Sequence, residues 1–485
     1  MIDSAKLQQT LKQHFGYTKF KTGQESVIRS VLAGQDTFAI LPTGSGKSLC
    51  YQLPGYLVSG QVVVISPLLS LIQDQVAQLQ YLGEKRVLAL TSALDPLTRR
   101  QSLAHFADYK FIFLSPEMAN QRRIQRLLKQ ASVALLVIDE AHCISQWGID
   151  FRPDYLLLSS LREAIQPATT LAMTATATQR VQADILAKLG LDPTKTRQII
   201  HSVDRRNIYL ASEALADETE KKQRLIELCC QLKRPGIIYF SSRQKAEEIA
   251  ALLQQQVTTQ VAFYHGDLTS QDRFAIQQQF MQGKLAIICA TSAFGMGIDK
   301  ADVRFVIHYH LPGSLESYLQ EIGRAGRDGQ QSIAILLYTQ QDFQLQANLQ
   351  INGLPDATLI KRYFAHPGQF AAAQVPAIEL LKFYRQQQQS VTTVLKLFDQ
   401  RRHEKLLALR TMLAFLQNPG CKRQFILTYF ADSKVVSHDE TCCDASQPPN
   451  LARLGLQQMT HPQSHTVYAT WQKRLAAILG NTPLL

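Results

Sequence analysis

The feature that most restricts this chain is the octet Leu41-Pro42-Thr43-Gly44-Ser45-Gly46-Lys47-Ser48, which follows an apolar run and opens a helical stretch. Its small residues, Thr43, Gly44, Ser45 and Gly46, let backbone N–H groups close on phosphate oxygens. The following helix N-terminus adds a positive dipole end. In such a turn Lys47 reaches β- and γ-phosphates and the Ser48 hydroxyl can ligate Mg²⁺. The strict phosphate-loop pattern has Gly where this chain has Leu41, so the octet is a variant of it. A plain Gly-rich turn between strand and helix is the competing reading, and only further motifs decide between the two.

The flanking sequence supplies the scaffold such a turn needs. Short runs of Val, Ile, Leu and Phe alternate with amphipathic helical stretches, the pattern of a buried parallel sheet. Strands are expected at 37–41, 62–66, 111–115, 135–139, 170–174, 236–240, 285–290, 304–308 and 333–338. A weakly patterned segment at 204–220 parts two sets of them, so the fold class is α/β, with two doubly wound parallel-sheet lobes meeting near residue 206. Past Asp342 the strands stop, and Gln-rich helical sequence (386–389, then 395–398 and 406–416) indicates a third, helical unit. The expected division is 1–205, 206–345, 346–450 and a short tail, 451–485, with one helix inside 467–479. A chain of 485 residues has room for two to four such units.

Two further motifs bear on phosphate chemistry. Asp139-Glu140-Ala141-His142 ends an apolar run, where Asp139 can hold the Mg²⁺ shell and Glu140 can polarise an attacking water. A capped helix start explains this word alone, but not its pairing with the octet. In the second set of strands, Gln320 to Gly329 carries Arg324 and Arg327, three apart and expected on one helix face. From there they could point across a cleft and stabilise charge developing on a transferring phosphoryl group. A solvated basic helix face is the ordinary alternative.

Further words narrow the reading: Phe20-Lys21-Thr22-Gly23-Gln24, the run 66–75 that begins Ser66-Pro67, Ser115-Pro116-Glu117, Cys143-Ile144-Ser145-Gln146-Trp147-Gly148, Thr174-Ala175-Thr176-Ala177, Tyr239-Phe240-Ser241-Ser242-Arg243, Tyr264-His265-Gly266, and ATSAFGMGID at 290–299. With these, the first 345 residues resemble a superfamily 2 helicase core, specifically the RecQ family. The resemblance implies two RecA-like lobes, ATP and Mg²⁺ as cofactors, and 3′ to 5′ movement along single-stranded DNA with duplex separation in repair or recombination. It places Phe20 and Gln24 at the nucleotide, with Gln24 on the adenine edge, and Gly295, Gly297 and Asp299 at the nucleotide or the lobe interface. Thr174 and Thr176 would couple the lobes. Ser66, Ser115, Ser241 and Arg243 would touch the tracking strand's phosphates. In an aromatic-rich loop, Trp147 and Phe151 would stack on bases and Arg152 would meet a phosphate.

Three departures qualify the resemblance. Ile149 stands where the family has His, which implies weaker coupling of DNA binding to hydrolysis. Cys421, Cys442 and Cys443 resemble the family's zinc subdomain, but the fourth Cys falls on Ser446, leaving Asp444, His438, His461 or water as fourth ligand. The alternative is a degenerate site with no metal. About 39 residues follow Ser446, too few for a winged-helix domain of roughly 100, so that module and a further helical DNA-binding domain are expected to be absent.

Composition agrees with a nucleic-acid partner. Lys and Arg outnumber Asp and Glu by 51 to 39, giving +12, and Lys and Arg gain affinity by releasing phosphate counterions. The eight cysteines show no disulfide-framework spacing. No leader pattern and no run of roughly 18 apolar residues is visible. The expectation is a cytoplasmic, nucleoid-associated monomer acting on single-stranded and tailed duplex DNA. A weakly unwinding translocase, an RNA remodeller and a catalytically idle DNA-binding scaffold are the alternatives. Intact Lys47, Asp139, Glu140 and Arg327 argue against the last.

Overall fold

Valine, isoleucine and phenylalanine runs with no polar alternation must be covered on both faces, and two sheets meet that demand here. A computed structural model describes residues 3–91, 94–146, 152–295, 300–371, 373, 375–445 and 447–458. The first sheet holds β1 (Thr37–Ile40), β2 (Gln61–Ile65), β3 (Val87–Leu90), β4 (Phe111–Leu114), β5 (Val133–Ile138), β6 (Thr170–Thr174) and β7 (Arg197–Ile200), in the order β3-β4-β2-β5-β6-β1-β7. The second holds β8 (Ile208–Ala214), β9 (Gly236–Tyr239), β10 (Val261–Tyr264), β11 (Ile287–Ala290), β12 (Phe305–His308) and β13 (Ser332–Tyr338), in the order β10-β11-β9-β12-β13-β8. The strand pairings are parallel in both sheets. One face of the first sheet carries Val63, Ile65, Leu136 and Ile138, and the other carries Val62, Val64, Leu135 and Val137, all buried. The loops that follow β1, β2, β4, β5 and β6 therefore leave at the carboxyl edge of the first sheet, whereas Arg205 and the 323–329 turn of the second lobe precede β8 and β13 at their amino ends.

Sequence patterning missed β3, β7, β8 and β10. Arg197-Gln198-Ile199-Ile200 is an edge strand with only Ile199 buried, so it carries no apolar run. β8 lies inside the weakly patterned 204–220 segment. It is also an edge strand, and its polar end, Ser212-Glu213, is only half covered.

The third unit consists of helices Gln340–Asn352, Ala357–Ala365, Pro376–Gln386, Val391–Gln417 and Lys422–Tyr429. The segments expected at 395–398 and 406–416 are two halves of one 27-residue helix. Val394 and Phe398 in its first half pack on Ile360, Tyr363, Leu381 and Tyr384 in a separate small core. Met412, Phe415 and Leu416 in its second half enter the core of the second lobe. The long helix is thus anchored at one end and presents a helical hairpin at the other. Lys221, fully buried, meets Asp342 at 2.6 Å where lobe and helical unit join, and Arg180 of the first lobe pairs with Glu404 of the long helix. The tail helix expected at 467–479 lies outside the described residues. No helix among the described residues is long and apolar enough to cross a membrane.

Candidate active site between the two lobes

β1 ends at Ile40, and the octet turns from it into helix Leu49–Leu57. Gly44 and Gly46 take φ of 79° and 71°, left-handed values that disfavour any L side chain. Gln24 fixes this turn from below. Its amide nitrogen donates to the Ser45 (2.8 Å) and Gly46 (3.0 Å) carbonyls, and its oxygen accepts from the Lys21 N–H (2.8 Å). Gln24 is buried, and its amide is committed to shaping the loop. Phe20 packs on the cluster of Leu7, Leu11, Ile28, Leu49 and Leu53, which braces the octet's helix. The buried Ser45 hydroxyl has no hydrogen-bond partner among the described residues.

The carboxylates stand at the tip of β5, next to β2. The Asp139 N–H donates to the Ile65 carbonyl at 2.9 Å, and Glu140 sits at φ 48°. A non-glycine residue held there costs on the order of 1–3 kcal/mol and persists where surroundings over-determine it, commonly at functional sites. Burial, then the neighbouring Glu140 charge, pushes Asp139 up to about 6, with Lys47 pulling the other way. Burial would raise Glu140 too, but His142, Lys47 and Arg324 outweigh it and hold the carboxylate down to about 2. The His142 ring links the lobes: Nδ1 lies 3.2 Å from Glu140 Oε2 and 2.9 Å from Thr174 Oγ1, and Nε2 lies 3.2 Å from the side-chain amide of Gln320 in the second lobe. Thr174 in turn donates to the Thr176 carbonyl at 3.2 Å.

Across the cleft the expected helix face for Arg324 and Arg327 is not found. Helix Leu315–Ile322 ends before them, with Gly323 as its C-cap, and both arginines lie in the turn that follows. The physical reason is a close approach. A Cβ on Gly323 would stand 2.0 Å from Thr43 Oγ1, so glycine alone lets Thr43 donate to the Gly323 carbonyl at 3.1 Å. The Arg327 side chain still lies against the octet, while that of Arg324 turns to its own lobe, near enough to Glu140 to stabilise its charge. Arg324 donates to the Gly295 carbonyl, and Arg327 Cγ lies 3.1 Å from where a Gly44 Cβ would be. Sequence reasoning missed a third arginine. Arg205, between the lobes, donates through Nη1 to the Thr43 (3.0 Å) and Gly323 (3.2 Å) carbonyls, and through Nη2 to those of Ala325 (2.9 Å) and Gly326 (2.8 Å). No local word announces it, because its partners are backbone atoms far along the chain. Gly297 and Asp299 lie outside the described residues.

Two family models match: DEAD/DEAH box helicase over residues 21–185 and helicase conserved C-terminal domain over 220–329. Among curated relatives, the probable ATP-dependent DNA helicase RecS of Bacillus subtilis is 44% identical over 443 residues, covering 88% of this chain and 89% of RecS. ATP-dependent DNA helicase RecQ of Haemophilus influenzae is 38% identical over 384 residues, 78% of this chain and 61% of that protein. This chain belongs to the RecQ family. Solved structures add the fold alone. The DUF1998 helicase MrfA bound to DNA gives a TM-score of 0.58 at 19% identity over 76% of this chain and 53% of that one. The DEAD-box helicase Mss116 bound to single-stranded RNA gives 0.58 at 14% identity over 86% and 94%.

The remaining expected positions of this RecQ-family chain divide by place. Ser66, Ser115 and Ser241 follow β2, β4 and β9, at the carboxyl edges of both sheets. Ser115 caps helix Pro116–Ala119, accepting from the Met118 N–H, and Ser241 donates to Gln346 at 3.0 Å. Arg243 pairs with Asp267, and Arg152 with Glu117 at 3.0 Å. Trp147, Ile149 and Phe151 lie outside the described residues, as do Ser446 and His461.

The cysteines of the RecQ-family chain gather with one histidine. Donor atoms of Cys421, His438, Cys442 and Cys443 all lie within 4.8 Å of one another. Cys421 Sγ is 3.5 Å from Cys442 Sγ and 3.8 Å from Cys443 Sγ, and His438 Nδ1 is 3.7 Å from Cys443 Sγ. Ligands about 2.3 Å from a tetrahedral ion stand roughly 3.8 Å apart, so the spacing fits. Asp444 is engaged elsewhere, accepting from the Ser212 N–H (2.8 Å) and pairing with Lys422 (2.8 Å). Those bonds, with the Leu210 N–H donating to the Cys442 carbonyl at 3.2 Å, attach the cysteine loop to the free edge of β8.

Proposed function

We infer that this RecQ-family chain is an ATP-hydrolysing DNA helicase, moving 3′ to 5′ on single-stranded DNA and separating duplexes in repair or recombination. One observation supports it above the rest: the octet and the arginine turn touch across two separate sheets, so hydrolysis and lobe movement share one set of contacts. Lys47 and the N–H groups of Gly44 to Ser48 hold the polyphosphate, and Ser48 and Asp139 would hold Mg²⁺, which would supply neutralisation of phosphate charge. Glu140, kept ionised, accepts a proton from the attacking water. Arg324 and Arg327 approach the γ-phosphate from the second lobe, so bond cleavage weakens the attraction that draws the lobes together. Gln24, Phe20, Gly297 and Asp299 complete the nucleotide's surroundings. Ser66 receives a strand phosphate directly, Ser115, Arg152, Ser241 and Arg243 do so after releasing their present partners, and Trp147 and Phe151 stack on bases.

The working units are 1–205, 206–345 and 346–450, and the protein acts as a monomer on single-stranded and tailed duplex DNA. Cys421, His438, Cys442 and Cys443 would hold zinc, which supplies no chemistry to hydrolysis and cross-links the cysteine loop to helix Lys422–Tyr429. ATP turnover with single-stranded DNA, single-stranded RNA and no polymer, beside unwinding of 3′- and 5′-tailed duplexes, tests the reading. DNA should stimulate hydrolysis and only the 3′-tailed duplex should open; equal stimulation by RNA would overturn the choice of DNA.

A further inference from the structure

Arg205 makes four hydrogen bonds with one guanidinium, and every acceptor is a backbone carbonyl of the catalytic loops. One, Thr43, belongs to the octet in the first lobe, and three, Gly323, Ala325 and Gly326, belong to the turn that carries Arg324 and Arg327. We propose that Arg205 is a positioning residue for ATP hydrolysis, the post around which the Gly323–Gly326 backbone is wound so that Arg327 is aimed at the γ-phosphate.

Three features carry this. The turn's N–H groups are bonded by its own neighbourhood, Ala325 to the Ile322 carbonyl (2.9 Å) and Gly326 to that of Val303 (2.8 Å), while its Gly323, Ala325 and Gly326 carbonyls are gathered by the coplanar N–H donors of one rigid guanidinium. Asn207 adds a fifth anchor, donating to the Gly326 carbonyl at 2.8 Å. The post is itself fixed from behind: Arg423 donates to the Arg205 carbonyl (2.9 Å) and pairs with the wholly buried Asp204 carboxylate (2.6 Å). The bond to Thr43 ties the arginine turn to the octet, so the distance of Arg327 from the phosphate cradle is set by this side chain. Burial, then the Arg327 charge, pushes the Arg205 guanidinium down to about 10. Both cations stand beside Gly44, with Arg327 Cγ 3.1 Å and Arg205 Nη1 3.6 Å from where its Cβ would be.

The inference rests on the proposed role of Arg327, and a double-mutant cycle separates the two. Single-turnover hydrolysis of labelled ATP and titration with fluorescent ADP would be measured for Arg327→Ala, Arg205→Gln, Arg205→Lys and the Arg205→Gln/Arg327→Ala pair, with thermal melts of each. Misplacing a reacting group by about 1 Å costs on the order of 10²-fold, so Arg205→Gln should lower kcat by that much, with ADP affinity changed by less than about threefold. Arg205→Lys keeps the charge without the fork and should recover under a tenth of the loss. In the Arg327→Ala background, Arg205→Gln should cost less than about threefold more, since its effect passes through Arg327. Full additivity, full rescue by lysine, or a loss confined to KM would overturn the proposal. Normal turnover by Arg327→Ala alone would instead remove the role of Arg327. Should Arg205→Gln fail to fold, Arg205→Lys carries the same cycle.

Discussion

The nucleotide cleft and the Cys/His cluster both hold polar atoms in a fixed array, yet they are built in opposite ways. Each cleft word is contiguous and stands at the end of a strand: the octet after β1, Asp139 to His142 after β5, and the arginine turn before β13. Local backbone shapes each word, and the two sheets only bring them together. The cluster has no such words. Cys421 caps a helix, His438 lies in a loop, and Cys442 and Cys443 are held by a bridge to the edge of β8. In the first region chemistry is separable from folding. In the second, the energy of binding a metal would be folding energy.

Cleft substitutions should therefore remove activity and spare the fold. Lys47→Ala should abolish ATP turnover while leaving DNA binding largely intact, because the lysine meets phosphate and not the polymer. Arg327→Ala should lower turnover by about 10³-fold with nucleotide still bound, or about 4 kcal/mol of transition-state stabilisation. Thermal melts of both should stay near the parent. A variant that loses activity by unfolding a lobe would break the contrast.

Between the regions sits a buried junction that should behave like the cluster. Asp204 is wholly buried and paired with Arg423 at 2.6 Å and Lys434 at 3.0 Å. Arg423→Met strips one cation from a carboxylate that cannot reach water, a change worth about 3–5 kcal/mol. Denaturant unfolding should show that loss, and Arg423→Met combined with Asp204→Asn should recover part of it. No recovery would mean that Arg423 matters through the carbonyls of Arg205 and Ile208 instead.

The same contrast explains what could be read in advance. The central strands β1, β2, β4, β5 and β6 are covered on both faces, so burial writes itself into the sequence as apolar runs. The edge strands β7 and β8 are half covered and carry Arg197, Gln198 and Glu213, which hid them. Cleft residues were legible because backbone phosphate binding demands glycine at set places. Arg205 was not, since it recognises carbonyls, which every residue has. The placement of Arg324 and Arg327 was read one element wrong because i, i+3 spacing suits a helix and a turn alike. For the fourth member of the cluster the sequence left His438, Asp444, His461 and water open, because His438 stands 17 residues after Cys421 and 4 before Cys442, and the fold brings its ring to the thiols.

Zinc should be present at about one equivalent in protein purified without chelator, and elemental analysis measures it. His438→Ala should weaken binding by roughly 10- to 100-fold, and Asp444→Asn by much less, because Asp444 serves Ser212 and Lys422. Chelation should raise amide exchange along 421–444 and in β8 while fluorescent ADP binding persists. Loss of ADP binding on chelation would show that the cleft depends on the cluster after all.

The smallest expected effect is a pH dependence confined to the cleft. Asp139 is raised to about 6 by burial and then by Glu140, and a metal ligand must be deprotonated to bind. The carboxylate is therefore available above pH 6 and lost below it, so divalent-ion affinity of the nucleotide-free protein should fall about tenfold per pH unit under that point. Mn²⁺, a paramagnetic stand-in for Mg²⁺, reports this directly. Glu140→Gln removes the like charge and leaves the burial, so Asp139 should titrate lower and the midpoint should move to more acid pH. Loss of a second metal ligand would add to that shift a weaker binding well above pH 6, where Asp139 is ionised in both proteins. The variant thus tells whether Glu140 serves the ion or only the water.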